Sequence, residues 1–399
     1  MKVQISFLGR RVEEGGYRDA TYLFENGSRI KSQYFGMALW RYLRSQGQAD
    51  SLILYGTTTS AWDVFFLEMG LGGDALEVAE RIPSSQDPAK DMAFLSKALS
   101  QALGGQVTCS LIPSGESESA QIKMLADLAE QIPAGSHLII DVTNGYRHLS
   151  TLSIVMAKYL GNLKDIQIQD VVYGAFDMRS ESGDVPVVPL RFLLQMLNWI
   201  EAFAKYDASG SYRYFSELLI QEGFPADKAE QLVKASFLER ITNQQGARQS
   251  LNTVSEKLSE FDGQLTSLFK PDLLKRLSWS QESSRSRREF QLSEVYQSRG
   301  DYLRAVIYLQ EGYITAMTQK QNLMVDDYQD RETSKREFCR QLDEFKELSN
   351  IRNAFAHGVL SLPEHPSKRS QDLKRSLTDS EFLDQKLREI RRAFVRNLS

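Results

Sequence analysis

Cysteine is nearly absent from this 399-residue chain: Cys109 and Cys339 are its two, far apart and without a CxxC spacing. That excludes a disulfide framework and a cysteine-rich zinc site, and it fits a reducing compartment, read here as the cytoplasm. Histidine is scarce as well. There are 4, with no pair at metal-ligand spacing, so no metal is expected. No apolar run is long enough to span a bilayer. The chain begins Met1-Lys2-Val3-Gln4-Ile5-Ser6-Phe7-Leu8-Gly9, which reads as a first strand; a secretory signal needs a longer apolar stretch and a small-residue cleavage site. No GxGxxG follows that strand and no GxxxxGK[ST] occurs anywhere. A dinucleotide cofactor and a Walker-type NTPase are therefore not expected.

At this length two or three domains are the natural division. The chain is 42% hydrophobic and 25% charged, an ordinary soluble balance that leaves no class of fibrous or membrane protein in view. Its formal net charge of -4 is unevenly spread. Residues 264–399 hold 24 Lys and Arg against 20 Asp and Glu. That small cationic surplus permits transient contact with RNA but does not describe a protein that coats nucleic acid.

Up to about residue 190, short runs rich in β-branched and apolar residues alternate with helical periodicity. Strands are expected over 2–9, 51–56, 106–112, 137–142 and 166–175, and helices over 33–46, 88–103, 118–131 and 150–160. Pro88 suits a first helical position. This alternation implies a doubly wound, Rossmann-like α/β sheet. A β-hairpin is expected over 17–32, with Asn26-Gly27 supplying the positive φ angles of its turn. After Pro186 and Pro189 the spacing becomes helical, as in Leu190, Leu193, Leu194, Leu197 and Ile200, then Phe338, Leu342, Phe345 and Leu348. The expected division is an α/β domain over 1–188, a helical connector over 189–280 and an all-α domain over 281–399. Polar stretches near 242–250 and 278–288 read as loops.

In sheets of this kind, ligands lie beyond the carboxyl ends of the strands, where loops and helix N-termini present N–H groups. Three strand exits carry suitable residues: Gly9-Arg10-Arg11, then Gly56-Thr57-Thr58-Thr59-Ser60-Ala61-Trp62, then Asp141-Val142-Thr143-Asn144-Gly145-Tyr146-Arg147-His148. Small residues admit a ligand close to the backbone, and hydroxyls hold phosphate oxygens. Trp62 and Tyr146 offer faces for base stacking, and Arg10, Arg11 and Arg147 balance charge.

A second group stands near the C-terminus, Arg352-Asn353-Ala354-Phe355-Ala356-His357. A guanidinium that holds phosphate and an imidazole that moves a proton near neutral pH suit metal-free RNA cleavage, because RNA supplies its own 2′-OH nucleophile. The spacing alone is common. Ser349 reads as an N-cap, which would place Arg352 in the first helical turn. At about 100° per residue, Asn353 and His357 share a face while Arg352 points about 140° away from His357. One helix therefore surrounds a phosphate poorly, and two facing copies do it better. His357 is assigned as general acid/base, Arg352 as the phosphate clamp and Asn353 as the group orienting phosphate or imidazole; Ala354 and Phe355 are read as packing residues. Glu311 and Tyr313, on a helix expected over 301–319, read as an ordinary polar face. His137 precedes a buried strand, His148 lines the third loop, and His365 lies in a Pro-flanked loop.

The run Asp141-Val142-Thr143-Asn144-Gly145-Tyr146-Arg147 resembles the signature strand and loop of CARF domains, the sensor domains of type III CRISPR accessory proteins. The segment from Gly56 to Trp62 is similar to that family's other ligand-facing loop. The helical C-terminal half with Arg-Asn-Ala-Phe-Ala-His resembles a HEPN ribonuclease domain. Together they cover nearly the whole chain and resemble the CARF–HEPN ribonucleases. The resemblance implies a homodimer or higher even oligomer whose sensor halves bind a cyclic oligoadenylate across the two-fold axis. Cyclic tetra-adenylate is the first expectation and cyclic hexa-adenylate the alternative. The contacts it implies are Gly9, Arg10, Thr57, Thr58, Thr59, Ser60, Ala61, Trp62, Thr143, Asn144, Gly145, Tyr146 and Arg147. Relatives often carry His where Asn144 stands, which removes a proton carrier for cleavage of the ring. The implied activity is cutting of single-stranded RNA in antiviral defence, without a metal or cofactor, leaving 2′,3′-cyclic phosphate ends. The rival reading is a non-catalytic sensor or adaptor, against which the intact Arg352 and His357 argue.

Overall fold

The computed structural model describes residues 1–10, 19–357 and 367–398, with backbone alone at Arg147, Ser150, Leu163, Asn397 and Leu398. Arg11, His365 and the first residues of the expected hairpin lie outside the described residues. Eight strands join one sheet: β1 Lys2–Phe7, β2 Ala20–Leu23, β3 Arg29–Ser32, β4 Ser51–Gly56, β5 Gln106–Leu111, β6 His137–Asp141, β7 Gln167–Gly174 and β8 Asp184–Pro189. Their order is β3-β2-β8-β7-β6-β1-β4-β5. Every pairing from β7 to β5 is parallel. Strands β4 and β5 extend from one side of β1, and β6 and β7 from the other. The winding thus reverses beside β1, the place where α/β sheets open a crevice for ligands.

Burial on both faces explains why β4 and β6 read as continuous apolar runs, while β1 alternates apolar residues with the buried polar Gln4 and Ser6. All six residues of β4 are buried. Helices α1 Phe35–Ser45, α2 Trp62–Glu68, α3 Asp74–Arg81 and α4 Pro88–Leu103 contribute Phe35, Trp40, Phe65, Val78 and Leu95 to one core. Helices α5 Glu118–Gln131 and α6 Arg147–Leu163 contribute Met124, Leu128, Met156 and Leu160 to the other. Each such side chain stabilises the fold by roughly 1.5–3 kcal/mol. Local punctuation sets the ends of α4: the Asp87 carboxylate accepts the Lys90 N–H, Pro88 opens the helix, and Gly104 closes it at φ 59.

Three local expectations change. Residues 24–28 form a longer loop between β2 and β3, in which Gly27 alone takes a positive φ; Asn26 instead accepts the Ser28 N–H at 3.0 Å. Pro186 and Pro189 lie inside β8 rather than ending the pattern. That strand runs parallel to β2 over Asp184–Pro186 and then antiparallel to β7 over Val187–Pro189. Pro186 falls where the ladder passes from one neighbour to the other, and Pro189 is the last residue of the strand. Helices α2 and α3, hidden in sequence by the glycines at 70, 72 and 73, complete the layer.

Residues 1–194 and 195–399 are separate compact units. From α7 Arg191–Ser209 onward the chain is helical: α8 Arg213–Gln221, α9 Ala226–Arg240, α10 Gln244–Glu260, α11 Gln264–Leu277, α12 Arg285–Ser298, α13 Tyr302–Lys320, α14 Tyr328–Glu337, α15 Asp343–His357, α16 Lys368–Ser376 and α17 Ser380–Leu398. The stretch 242–250 is not a loop. Asn243 caps α10, and the apolar series Ala247, Leu251, Val254 and Leu258 buries one face of it. The helical unit has two cores, one including Trp199, Phe215, Leu251 and Tyr308, the other including Tyr313, Phe345, Leu387 and Phe394. Helix α13 serves both. The Tyr308 hydroxyl donates to the Glu239 carbonyl at 2.7 Å, and the Tyr313 hydroxyl to the Ile390 carbonyl at 2.7 Å. No break in packing falls at 280. Among the described residues, no helix is long and apolar enough to cross a membrane.

Candidate functional site

At the carboxyl ends of β1 and β4, the two exit segments are stitched into one piece. The Ala61 N–H donates to the Gly9 carbonyl at 3.0 Å, and Arg10 bridges Ser60. The Ser60 hydroxyl donates to the Leu8 carbonyl at 3.0 Å and accepts the Thr57 N–H at 2.9 Å. Thr57, Ser60 and Ala61 are consequently buried, Gly9 is half-buried, and Arg10, Thr58 and Thr59 are exposed. Thr59 Oγ1 lies 3.5 Å from the Tyr146 hydroxyl, at the limit of hydrogen bonding, which joins this tip to the loop after β6.

That third loop crosses closely above β1. Thr143 is anchored at both ends, its N–H donating to Asp141 at 2.8 Å and its hydroxyl accepting the Gly174 N–H at 2.8 Å. Gly145 has φ 98, and a Cβ there would lie 3.2 Å from the Phe7 Cβ and 3.1 Å from Leu149. Glycine thus satisfies both the dihedral and the close approach. Gly145→Ala is expected to destabilise the α/β unit by about 1–3 kcal/mol, read as a lower thermal midpoint. Tyr146 and Asn144 are half-buried. The Tyr146 ring stacks on His148, centroids 5.5 Å apart, and His148 Nε2 sits 2.8 Å from the Ser114 carbonyl oxygen. Helix α6 starts at Arg147, three residues before the sequence-based expectation, and no side chain caps it. Its first-turn N–H groups therefore point to the switch point with no side-chain acceptor. The Arg147 side chain lies outside the described atoms.

Asp141 sits beneath this loop with no exposure, and burial pushes its carboxyl up to about 6 against the pull of Thr143. Its Oδ2 has no hydrogen-bond partner. The folded unit therefore holds this proton more tightly than the unfolded chain does. Stability is expected to increase as pH falls from 7 through about 6 towards 4, by up to roughly 2–3 kcal/mol. Asp141→Asn should remove this carboxyl's share of the slope, while Asp170, which burial also pushes up to about 6, keeps its own. Thermal midpoints of the two proteins across this range check it, and parallel curves would overturn it.

Trp62 corrects the sequence reading. Its ring is 0% exposed, and its indole N–H donates to the Thr57 carbonyl at 3.0 Å. Gly56 leaves the space it fills, since a Cβ there would stand 2.6 Å from the indole. Trp62 and Ala61 are thus the scaffold of the second loop and offer no face to a base. The signal lay in the apolar spacing of Trp62, Phe65 and Phe66 along α2.

In the helical unit, α15 turns Phe345, Leu348, Ile351 and Ala354 inward and Arg352, Asn353, Ala356 and His357 outward. Phe355 packs at the edge of the core. Ser349 is not an N-cap: the helix begins at Asp343, and Ser349 accepts a hydrogen bond from Gln310 at 3.0 Å in mid-helix. The apolar repeat starting at Phe345 had already committed these turns to helix. Arg352 therefore lies in the helix body rather than at an N-terminal anion site, and His357 stands in the last turn. The Arg352 guanidinium reaches Asn353 Oδ1 at 3.4 Å. Arg352 and Asn353 line a groove with Glu311, Lys335, Arg340 and Lys346, a feature that linear spacing did not reveal. Glu311 binds Arg331 at 2.5 Å, and Tyr313 is buried. Both cysteines are free and buried, with burial pushing each thiol up to about 12. Among the described residues, no three His, Cys, Asp or Glu side chains gather as a metal would require.

Residues 3–177 match the sequence family described as CRISPR system endoribonuclease Csx1, CARF domain. That stretch takes in β1 through β7 and all three strand exits. The chain is also similar to the CRISPR-associated protein MJ1674 of Methanocaldococcus jannaschii, 24% identical over 305 residues, covering 69% of this chain and 47% of that protein. Coverage of this size reaches beyond the α/β unit into the helical one. The chain spans about half the length of the curated relative it matches.

Proposed function

We propose, from the premise that this chain is a CARF-containing type III CRISPR accessory protein, that it is an endoribonuclease switched on by a cyclic oligoadenylate. The observation that carries the reading is the pairing of a CARF match over residues 3–177 with a helix that presents Arg352, Asn353 and His357 to solvent. The polar face of this amphipathic helix is open to solvent, and a phosphodiester would satisfy both its charge and its proton demand.

In the α/β unit, the N-terminus of α6 and the exposed Arg10, Thr58 and Thr59 would hold phosphates, and the Tyr146 ring would stack on adenine. Cyclic tetra-adenylate suits a two-fold symmetric pair of such sites, each chain reading one half of the ring. In the helical unit, RNA's 2′-OH attacks the adjacent phosphorus while the bond to the 5′ oxygen breaks. One imidazole takes the 2′ proton and another returns a proton to the leaving oxygen, so two chains supply both steps. Arg352 holds the non-bridging oxygens as charge grows on them, and Asn353 orients them. The products are a 2′,3′-cyclic phosphate and a 5′-hydroxyl. No step requires a metal or cofactor. The activator acts only as far as it binds the cutting-competent arrangement more tightly than the idle one.

Labelled single-stranded RNA is incubated with the protein and EDTA, with and without cyclic tetra- and hexa-adenylate. Cleavage that depends on the ring and survives chelation is the expected result. Tight binding of the ring with intact RNA throughout would replace the enzyme with a sensor that signals to a partner.

A further inference from the structure

We propose that the groove beside Arg352 is the track for the RNA strand on its way to the scissile linkage, with Lys335, Arg340 and Lys346 as its phosphate-positioning residues. This rests on the reading of Arg352 and His357 as RNA-cleaving groups and adds the residues that place the substrate.

The groove is bounded by α13, α14, the turn at 339–341 and α15. Along α15, Lys346, Asn350, Asn353 and His357 are separated by four, three and four positions, so they form one stripe. A strand lying against that stripe is led to the imidazole. The charges along it are lopsided. Lys335, Arg340, Lys346 and Arg352 face a single carboxylate, Glu311, and the Arg331 guanidinium at 2.5 Å already neutralises it. Arg340 is exposed and has no ion-pair partner among the described residues. Among the described residues, Lys335 and Lys346 pair with near neighbours in sequence, Glu332 at 3.1 Å and Asp343 at 3.0 Å. Such surface pairs contribute about 0–1 kcal/mol and exchange readily for a phosphate. The remaining lining is mostly amide and hydroxyl, which suits a sugar–phosphate backbone better than unstacked bases.

The test uses full-length His357→Ala protein and a short labelled single-stranded RNA, so that binding is read without cutting. Fluorescence anisotropy is followed over a salt series. Arg340→Glu and, on a different element, Lys346→Glu are each expected to weaken binding about tenfold, while Arg340→Lys stays within about threefold of the parent. Arg340→Ala should make the log–log salt dependence shallower by about 0.7, the amount for one lost phosphate contact on a single strand. Lys97→Glu, an exposed α4 residue carrying the same charge change, is the control. Unchanged affinity in both groove reversals, an equal loss in the control, or no RNA binding by the parent overturns the track. The underlying enzyme reading fails separately: wild-type protein that holds RNA through Arg340 yet never cuts it would keep the track and remove the nuclease.

Discussion

Alanine at position 357 is expected to slow RNA cleavage by about 10²–10⁴-fold while RNA still binds, because it removes the imidazole that the proposed mechanism uses as general acid/base. His357 is exposed in the last turn, so its loss should shift stability by no more than about 0.5 kcal/mol. Arg352→Lys should not rescue the clamp. A lysine keeps the charge but loses the planar fork that grips two oxygens. Mixing Arg352→Ala with His357→Ala chains tests the shared site directly. Because one linkage uses an imidazole from each chain, the mixed population should stay nearly inactive, whereas excess His357→Ala chains added to wild type should lower activity by more than dilution alone. A 2′-deoxy sugar at the scissile nucleotide should block cutting. Single-turnover assays on gels read all of these outcomes, and rapid cleavage by the His357→Ala protein, or of the deoxy substrate, would remove the proposed chemistry.

Trp62→Ala should cost the α/β unit about 3–5 kcal/mol. The indole fills the space left by Gly56, and its loss removes one of two donors to the buried Thr57 carbonyl, the other being the Ser60 N–H at 3.1 Å. Most of a domain's net stability is of this size, so much of the protein should be unfolded or aggregated at 37 °C. Tyr146→Ala provides the contrast. Its ring is half-buried at the mouth of the crevice, and its removal should weaken binding of cyclic tetra-adenylate by about 5–150-fold with little change in thermal midpoint. Denaturation of the full chain and calorimetric titration of the ring separate the two. A stable Trp62→Ala protein with selectively weakened ring binding would show that the indole does meet the ligand.

Where side chains carried their own punctuation, the sequence was legible. Asp87, Pro88 and Gly104 bound α4 to the residue, and Ser117 does the same for the start of α5. Strands β4 and β6 were visible because burial on both faces writes an apolar run, and β1, β5 and β7 from their β-branched and apolar residues between polar ones. What escaped was set by tertiary neighbours. β8 tolerates Pro186 because it changes partners there, a fact held in β2 and β7 rather than in its own residues, and Pro189 because the strand ends on it. Ser349 looked like a cap because serine often is one, while the competing repeat of Phe345, Leu348 and Ile351 kept the helix going upstream. Trp62 read as a stacking platform from its place in a polar loop, but Gly56 had already made room for it in the core. The groove cations illustrate the same limit from the other side. Lys335, Arg340 and Lys346 sit on three elements, and no linear spacing joins them to Arg352.

Helix α13 places Tyr308 in one core of the helical unit and Tyr313 in the other. A gene fragment starting near residue 300 would leave Tyr308 without its Glu239 acceptor, and one ending near residue 320 would leave Tyr313 without its Ile390 acceptor. The helical unit is therefore inherited as one piece: recombination can replace the α/β unit ahead of α7, but it cannot trade the helices that bear His357 without taking Trp199 and everything between.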